Sequence, residues 1–391
     1  MAIAALDPEL TDLALDRLRA RRSVKWSRFG PDVLPAWVAE MDFPLAPPVS
    51  AALAEAVGRD DTGYADPAAA GLAAALAGFL DRRHGWEIDT GQVIATGEVV
   101  AGLTELLRTL LAPGDGVIVS PPVYHPFFSL VGEAGCGLVE VPLGPGHRLD
   151  LDGIDAAFTA GARAILLCNP QNPTGAAAAS TELAALAELA AAHEGWVLAD
   201  EIHAPLALPG ARHVPFLTVS DAARARGIAL VSASKAFNLA GLGCAQIVTA
   251  GEPARSAAAG LPAGARHCGH LGALAAAAAY RDGDAWLDSV VAVLAHNREL
   301  LGALLAELLP DARWAPPAAG YLAWIDLGAY DLGPDPAAPI LERGRLALSS
   351  GPMFGRGGDG HVRLNAGTSP GLLRVAVERI AATVATTRAR R

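Results

Sequence analysis

From residue 93 onward the chain alternates short apolar runs with longer segments whose apolar residues recur every three or four positions. A short run bounded by turn residues fits a strand buried on both faces, and the wider recurrence fits one face of a helix. Val93-Ile94-Ala95-Thr96 reads as a strand and Val99 to Leu111 as the helix after it. Pro113-Gly114-Asp115-Gly116 turns the chain into a strand over Val117 to Ser120. A helix over Pro126 to Glu133 and strands over Leu138 to Val141 and Ala164 to Cys168 follow. Thr181 to His193 is an amphipathic helix, with Ser180 or Thr181 available to cap its start and Gly195 just past its end. Trp196 to Ala199 and Ile228 to Val231 are further buried strands. Strands spaced by helices predict βαβ units and a mostly parallel sheet covered on both faces.

In such a sheet, ligands sit beyond the carboxyl ends of the strands. The polar clusters at those ends are Thr96-Gly97, Ser120-Pro121, Asn169-Pro170, Asp200-Glu201 and Ser232 to Lys235. All five are predicted to converge on one rim. After about residue 285 the pattern changes. One long helix, Trp286 to Leu309, precedes strands at Gly320 to Asp326 and His361 to Asn365 and a last helix, Gly371 to Thr387. The expected organisation is an α/β protein with an N-terminal arm (1–45, part of the small domain), a large domain (46–284) and a smaller α+β domain (285–391).

Composition narrows the function classes. A net charge of -11 argues against nucleic acid or an anionic membrane as partner. No run of about 18 apolar residues is free of charges or breakers, so no membrane span is expected. Met1 to Leu10 lacks the pattern of a secretory signal. Cys136, Cys168, Cys244 and Cys268 are dispersed, which fits reduced thiols in a cytoplasmic protein. His267-Cys268-Gly269-His270 has two histidines three apart, but no nearby acidic residue or second cysteine completes a metal site, and none is expected.

Among 30 basic residues only Lys25 and Lys235 are lysines. Arginine does not lose its proton in a protein, whereas a desolvated lysine can, and its neutral amine then attacks carbonyls. Lys235 follows the strand Ile228 to Val231, inside Ser232-Ala233-Ser234-Lys235-Ala236-Phe237-Asn238. Asn169-Pro170-Gln171-Asn172-Pro173-Thr174-Gly175 is a rigid turn at another strand end, able to present an amide to a ligand oxygen. Asp200 ends an apolar strand and needs a partner to stay ionised; a protonated pyridine nitrogen is one. His203 is placed to contact a ring hydroxyl, Ser232 and Ser234 suit a phosphate, and Tyr124 can stack on an aromatic cofactor.

These elements resemble the class I/II aminotransferase superfamily of pyridoxal-phosphate enzymes, in the family's order and over nearly the whole chain. Trp37-Val38-Ala39-Glu40-Met41-Asp42-Phe43-Pro44, Gly63-Tyr64, Pro122-Val123-Tyr124-His125-Pro126-Phe127, Asp200-Glu201-Ile202-His203 and Val362-Arg363-Leu364-Asn365 resemble one branch, the cystathionine β-lyase-like C–S lyases. The resemblance implies the fold type I architecture, a large domain with a seven-stranded sheet plus a small domain. It implies pyridoxal 5'-phosphate as cofactor, an amino acid as substrate and a homodimer with shared active sites. In that frame Lys235 attaches the cofactor and shuttles the proton, and Asp200 pairs with the pyridine nitrogen. Asn172 and His203 lie near the ring hydroxyl and Tyr124 stacks. Glu98, Val99, Val100, Ser232 and Ser234 hold the phosphate, with Tyr64 reaching the neighbouring subunit's. Arg363 grips the substrate carboxylate, with Trp37, Asp42, Tyr124 and Tyr321 beside it.

Three departures stand out. Glu98 takes a position where a glycine is common, Pro205 follows where an acidic residue is expected, and Gly241-Leu242 replaces the phosphate-binding arginine of aspartate-type aminotransferases. The last favours β-elimination, giving a thiol, pyruvate and ammonia. Transamination to a 2-oxo acid uses the same lysine and carboxylate and is the alternative, and a regulatory protein on the same scaffold is a third reading that intact Lys235, Asp200, Asn172 and Arg363 disfavour.

Overall fold

The computed structural model describes residues 6–388. An N-terminal strand, β1 (Leu34–Pro35), is followed by seven strands of one sheet. These are β2 (Val93–Thr96), β3 (Gly116–Val119), β4 (Gly137–Glu140), β5 (Ala162–Cys168), β6 (Trp196–Asp200), β7 (Gly227–Val231) and β8 (Ala245–Val248). Their order is β2-β8-β7-β6-β5-β3-β4. Neighbours pair in parallel from β4 through β7, and β8 runs antiparallel to both β7 and β2. The sheet is mostly parallel with seven strands, in agreement with the sequence.

The two faces of this sheet explain its near-continuous apolar runs. Ile118, Ile165, Leu167, Val197 and Val231 join one core, while Val117, Val119, Leu166, Leu198 and Leu230 join another. Successive side chains alternate faces, so a strand covered on both sides has no polar position to spare. Helices supply the cover. The buried alanines of His270–Asp282, among them Ala275 to Ala279, pack against the helices Pro47–Gly58 and Leu72–His84.

A second, four-stranded antiparallel sheet comes from the C-terminal part. Its strands are β9 (Arg313–Trp314), β10 (Leu322–Asp326), β12 (Ser349–Ser350) and β13 (His361–Asn365), in the order β12-β13-β10-β9. Between β10 and β12, β11 (Leu346–Ala347) pairs in parallel with β1, tying the N-terminal segment to this region. Helices Asp284–Leu308 and Pro370–Arg388 pack on each other over the third core. The first is long and apolar enough to cross a bilayer by length and composition. Here Leu287, Val290, Val293, Leu294, Leu301, Leu304 and Leu305 form its buried stripe within the protein.

Predicted boundaries differ from the observed ones by a residue or two, with one change of cause. Neither Ser180 nor Thr181 caps its helix: the cap position is Ala179, and Ser180 is the first helical residue. Glu182 instead accepts from Ala179 N and Leu149 N and pairs with Arg148 at 2.9 Å, so a carboxylate from inside the first turn does the capping.

Candidate active site

Strand ends build the site. A cavity of about 320 Å³ opens over the carboxyl edge of the large sheet. Gly97 follows β2, Cys168 ends β5, Asp200 ends β6 and Ser232 follows β7, and all four line it. Lys235 sits in the short helix Ala233–Ala236, one turn beyond β7, and its part-buried Nζ donates to Ala39 O at 3.1 Å. Burial, reinforced by the Arg363 charge, pulls the Lys235 pKa down; Asp200, Glu40 and Glu98 oppose this. A lysine so placed is easier to deprotonate than one in water.

Asp200 is buried, and Ile202 N donates to its Oδ1 at 3.1 Å. Burial raises its pKa to about 6 against that hydrogen bond and the pull of Lys235. A carboxylate held in this state gains most from a cationic partner in the cavity. His203 is buried beside it with Nδ1 unpartnered, and burial first, then the charges of Lys235 and Arg363, lowers its pKa to about 3, so the ring is neutral. Tyr124 lines the same cavity as a neutral phenol, its pKa pushed up to about 12 by burial and Asp200.

Arg363 lies in the middle of β13 and reaches across to the large sheet. Its Nη1 donates to Asn172 Oδ1 at 2.9 Å, and its Nη2 to Trp37 O at 2.9 Å and Ser349 Oγ at 3.1 Å. Burial draws its pKa down to about 10, which leaves it charged at neutral pH. Arg363 lines the cavity, and a buried cation there is suited to a carboxylate.

The opposite end suits an anion. Gly97, Glu98, Val99 and Val100 lie at the start of the helix Val99–Leu110 and line the cavity, as do Ser232 and Ser234. Glu98 occupies the cap position, but its side chain makes no cap hydrogen bond, so the first amides of the helix stay available. The Ser232 hydroxyl is already engaged: it donates to Cys244 O at 2.7 Å and accepts from Ser234 N at 3.1 Å.

Three residues expected in the site lie off this cavity wall. Asp42 forms a buried 2.8 Å ion pair with Lys25 and accepts from Trp26 Nε1 at 2.9 Å, so its charge is spent on the N-terminal segment. Tyr321 is buried, and its hydroxyl donates to Ala39 O at 3.0 Å. It therefore supports the carbonyl that Lys235 also contacts. Tyr64 is fully exposed at 102% and does not line its own chain's cavity. Conversely, Val38, Ala39, His125, Ala240 and Cys244 line the cavity without having been singled out. Ala39 acts through its carbonyl, which no residue-type pattern reveals. His125 sits one residue after the expected Tyr124.

The segment over the cavity is held from all sides. Asn365 Nδ2 donates to Val38 O and Glu40 O, both at 2.7 Å, and Asn238 exchanges hydrogen bonds with Met41 N and O. His270 of the His267–His270 run lies 3.1 Å from Asp61, and among the described residues no group of three or more histidine, cysteine or acidic side chains is set to hold a metal.

The fold and site place a desolvated lysine amine, a buried carboxylate and a buried arginine around one cavity of an α/β protein. The aminotransferase class I and II family model matches residues 37–380. Cystathionine beta-lyase of Corynebacterium glutamicum is 37% identical, with 94% of this chain and 98% of that protein covered. Cystathionine beta-lyase PatB of Bacillus subtilis (strain 168) is 33% identical, with 92% and 96% covered. The solved PLP-bound C-S lyase from Staphylococcus hominis superposes with a TM-score of 0.88 at 26% identity, covering 95% of this chain and 99% of that one. This chain belongs to the aminotransferase class I and II family.

Proposed function

We infer that this chain is a pyridoxal-phosphate-dependent carbon–sulfur lyase that cleaves cysteine S-conjugates such as cystathionine into a thiol, pyruvate and ammonia. The observation that carries the reading is Lys235 Nζ and the Arg363 fork on one cavity, in a chain that matches enzymes named cystathionine beta-lyase almost end to end. The residues fit the cofactor. Asp200, short of a cationic partner, suits the pyridine nitrogen, and the unpartnered His203 Nδ1 and the Asn172 amide suit the ring hydroxyl. Tyr124 offers a ring face, and the amides at the start of Val99–Leu110 with Ser234 suit the phosphate.

When bound, pyridoxal phosphate supplies the electron sink for the carbanion at the substrate α-carbon. The protein does the rest. Arg363 holds the substrate carboxylate and so fixes which bond faces Lys235. The depressed pKa of Lys235 lets its neutral amine take the α-proton. Ala39 O holds that amine in place, itself held by Tyr321. Gly241-Leu242, in place of an arginine, leaves the phosphate to neutral donors.

We further propose a homodimer in which Tyr64 of one subunit reaches the other's cofactor phosphate; its complete exposure in the single chain supports this. The four free cysteines suit a reducing compartment such as the cytoplasm.

The test supplies L-cystathionine without any 2-oxo acid. Sustained release of pyruvate and thiol supports the lyase. Activity that requires an added oxo acid overturns it in favour of transamination.

A further inference from the structure

Resting on the lyase reading, the allotment of the cavity leaves one wall unassigned. Arg363 takes the carboxylate end and Lys235 the α-carbon, while Asp200, His203 and the helix start take the cofactor. Besides Cys168, Ile202, Gly243 and Cys244, the lining given no role towards substrate or cofactor is Trp37, Val38, Ala39, His125 and Ala240. A substrate anchored at Arg363 and Lys235 sends its β-substituent towards this wall.

The wall is mostly apolar, with two exceptions. Trp37 Nε1 and His125 Nδ1 are buried side-chain nitrogens with no hydrogen-bond partner. An unpaired buried polar atom costs about 1–3 kcal/mol, so native structures keep few of them. Both residues are only part-buried and line the cavity, and His125 Nε2, unlike Nδ1, is not sealed from it, so this nitrogen is the one a ligand there can meet. Both rings are fixed. Trp37 meets Phe29 edge-on at 5.9 Å and the Arg28 guanidinium at 5.5 Å. His125 meets Tyr124 at 5.6 Å and Phe354 at 5.7 Å, and the Arg363 guanidinium stands 4.9 Å from the same Phe354 ring. The histidine is thereby bracketed between the substrate-side arginine and the stacking tyrosine. Burial and the Arg363 charge lower its pKa to about 4, so at neutral pH it is an uncharged ring with a single N–H.

We propose that His125 is a catalytic residue for C–S cleavage, donating a hydrogen bond from its imidazole N–H to the substrate sulfur as the bond to the β-carbon breaks. The step balances without an oxidant. The Cα–H bond breaks and its proton passes to the Lys235 amine. The Cβ–S bond breaks with its electron pair leaving on sulfur, and a Cα–Cβ double bond forms. The thiolate departs hydrogen-bonded and takes its proton from water after release. A donor aimed at charge that develops only in the transition state raises kcat more than it tightens binding. Its effect is largest for a basic alkyl thiolate and smallest for a leaving group that needs no help.

The test compares holoenzyme of the wild type, His125→Phe and His125→Asn on S-ethyl-L-cysteine, S-phenyl-L-cysteine and β-chloro-L-alanine. In parallel, NMR follows exchange of the L-alanine α-proton in D₂O, which reports Lys235 and Arg363 without any leaving group. For His125→Phe the expected loss of kcat on S-ethyl-L-cysteine is about tenfold or more, of the size seen for single transition-state donors. The loss is smaller on S-phenyl-L-cysteine, and β-chloro-L-alanine turnover and L-alanine exchange stay within about twofold. His125→Asn, which restores a donor, recovers part of the S-ethyl activity. Equal losses in all four measurements, or no loss in any, overturn the proposal while leaving the lyase standing. A wild type that exchanges L-alanine but releases pyruvate from none of the three substrates overturns the lyase reading and this proposal with it.

Discussion

Arg363 Nη1 donates to Asn172 Oδ1 at 2.9 Å, which ties β13, an interior strand of the small sheet, to the turn after β5 of the large one. The grip proposed for the substrate carboxylate and the amide proposed for the ring hydroxyl are thus one hydrogen-bonded unit. Arg363→Lys keeps a cation but loses the fork. A hydrogen bond to a charged group is worth about 1.5–3 kcal/mol, so KM for the amino acid should rise about 10- to 100-fold with kcat less affected. Steady-state kinetics with an unchanged KM would refute the assignment.

The other lysine has a structural role. Lys25 is buried, with Nζ 2.8 Å from Asp42 Oδ1 and 2.9 Å from Glu40 O. Lys25→Met leaves the Asp42 carboxylate buried without its cation, a change that costs about 3–5 kcal/mol in comparable pairs. Denaturant unfolding should show that loss, and Lys25→Met with Asp42→Asn should recover part of it. An unshifted midpoint in the single variant contradicts the role.

Much of this was legible before the structure. Six of the seven strands of the large sheet follow from apolar runs; burial on both faces demands these in β3, β5, β6 and β7, whereas the edge strands β2 and β4 are only half-buried or partly exposed. β8 escaped because Gln246 interrupts its run; the glutamine is buried nonetheless, accepting from Tyr280 OH at 2.8 Å. Lys235, Asp200, Asn172 and Arg363 were visible as reactive types at strand ends or in a recognisable motif. Asp42 was misplaced because only the tertiary fold brings Lys25 against it. The Ala39 carbonyl left no trace, since every residue carries one. The alanine-rich helix His270–Asp282 had too little contrast between faces to announce its packing.

Acid should destabilise the cofactor-free chain through its neutral histidines. Burial first, and nearby positive charges second, hold His84 and His203 near a pKa of about 3 in the fold, against 6.5 for an ordinary histidine. Between those values the unfolded chain binds more protons than the folded one, so stability falls as pH drops from about 6.5 towards 3. Asp200 works the other way: its pKa, raised to about 6, favours the fold as it protonates between about 6 and 3.8. His84→Leu removes one histidine from the balance. The slope of unfolding free energy against pH near pH 5 should fall by about 1.4 kcal/mol per pH unit, the value of one proton. An unchanged slope, measured by urea unfolding at several pH values, contradicts the depressed His84.

Borohydride shows directly which of the chain's two lysines is the reactive amine. Holoenzyme made with pyridoxal phosphate is reduced, digested and mapped by mass spectrometry. The predicted result is a single cofactor-modified peptide carrying Lys235, absent in Lys235→Ala. Modification on Lys25, or no fixed cofactor at Lys235 in the wild type, contradicts the account.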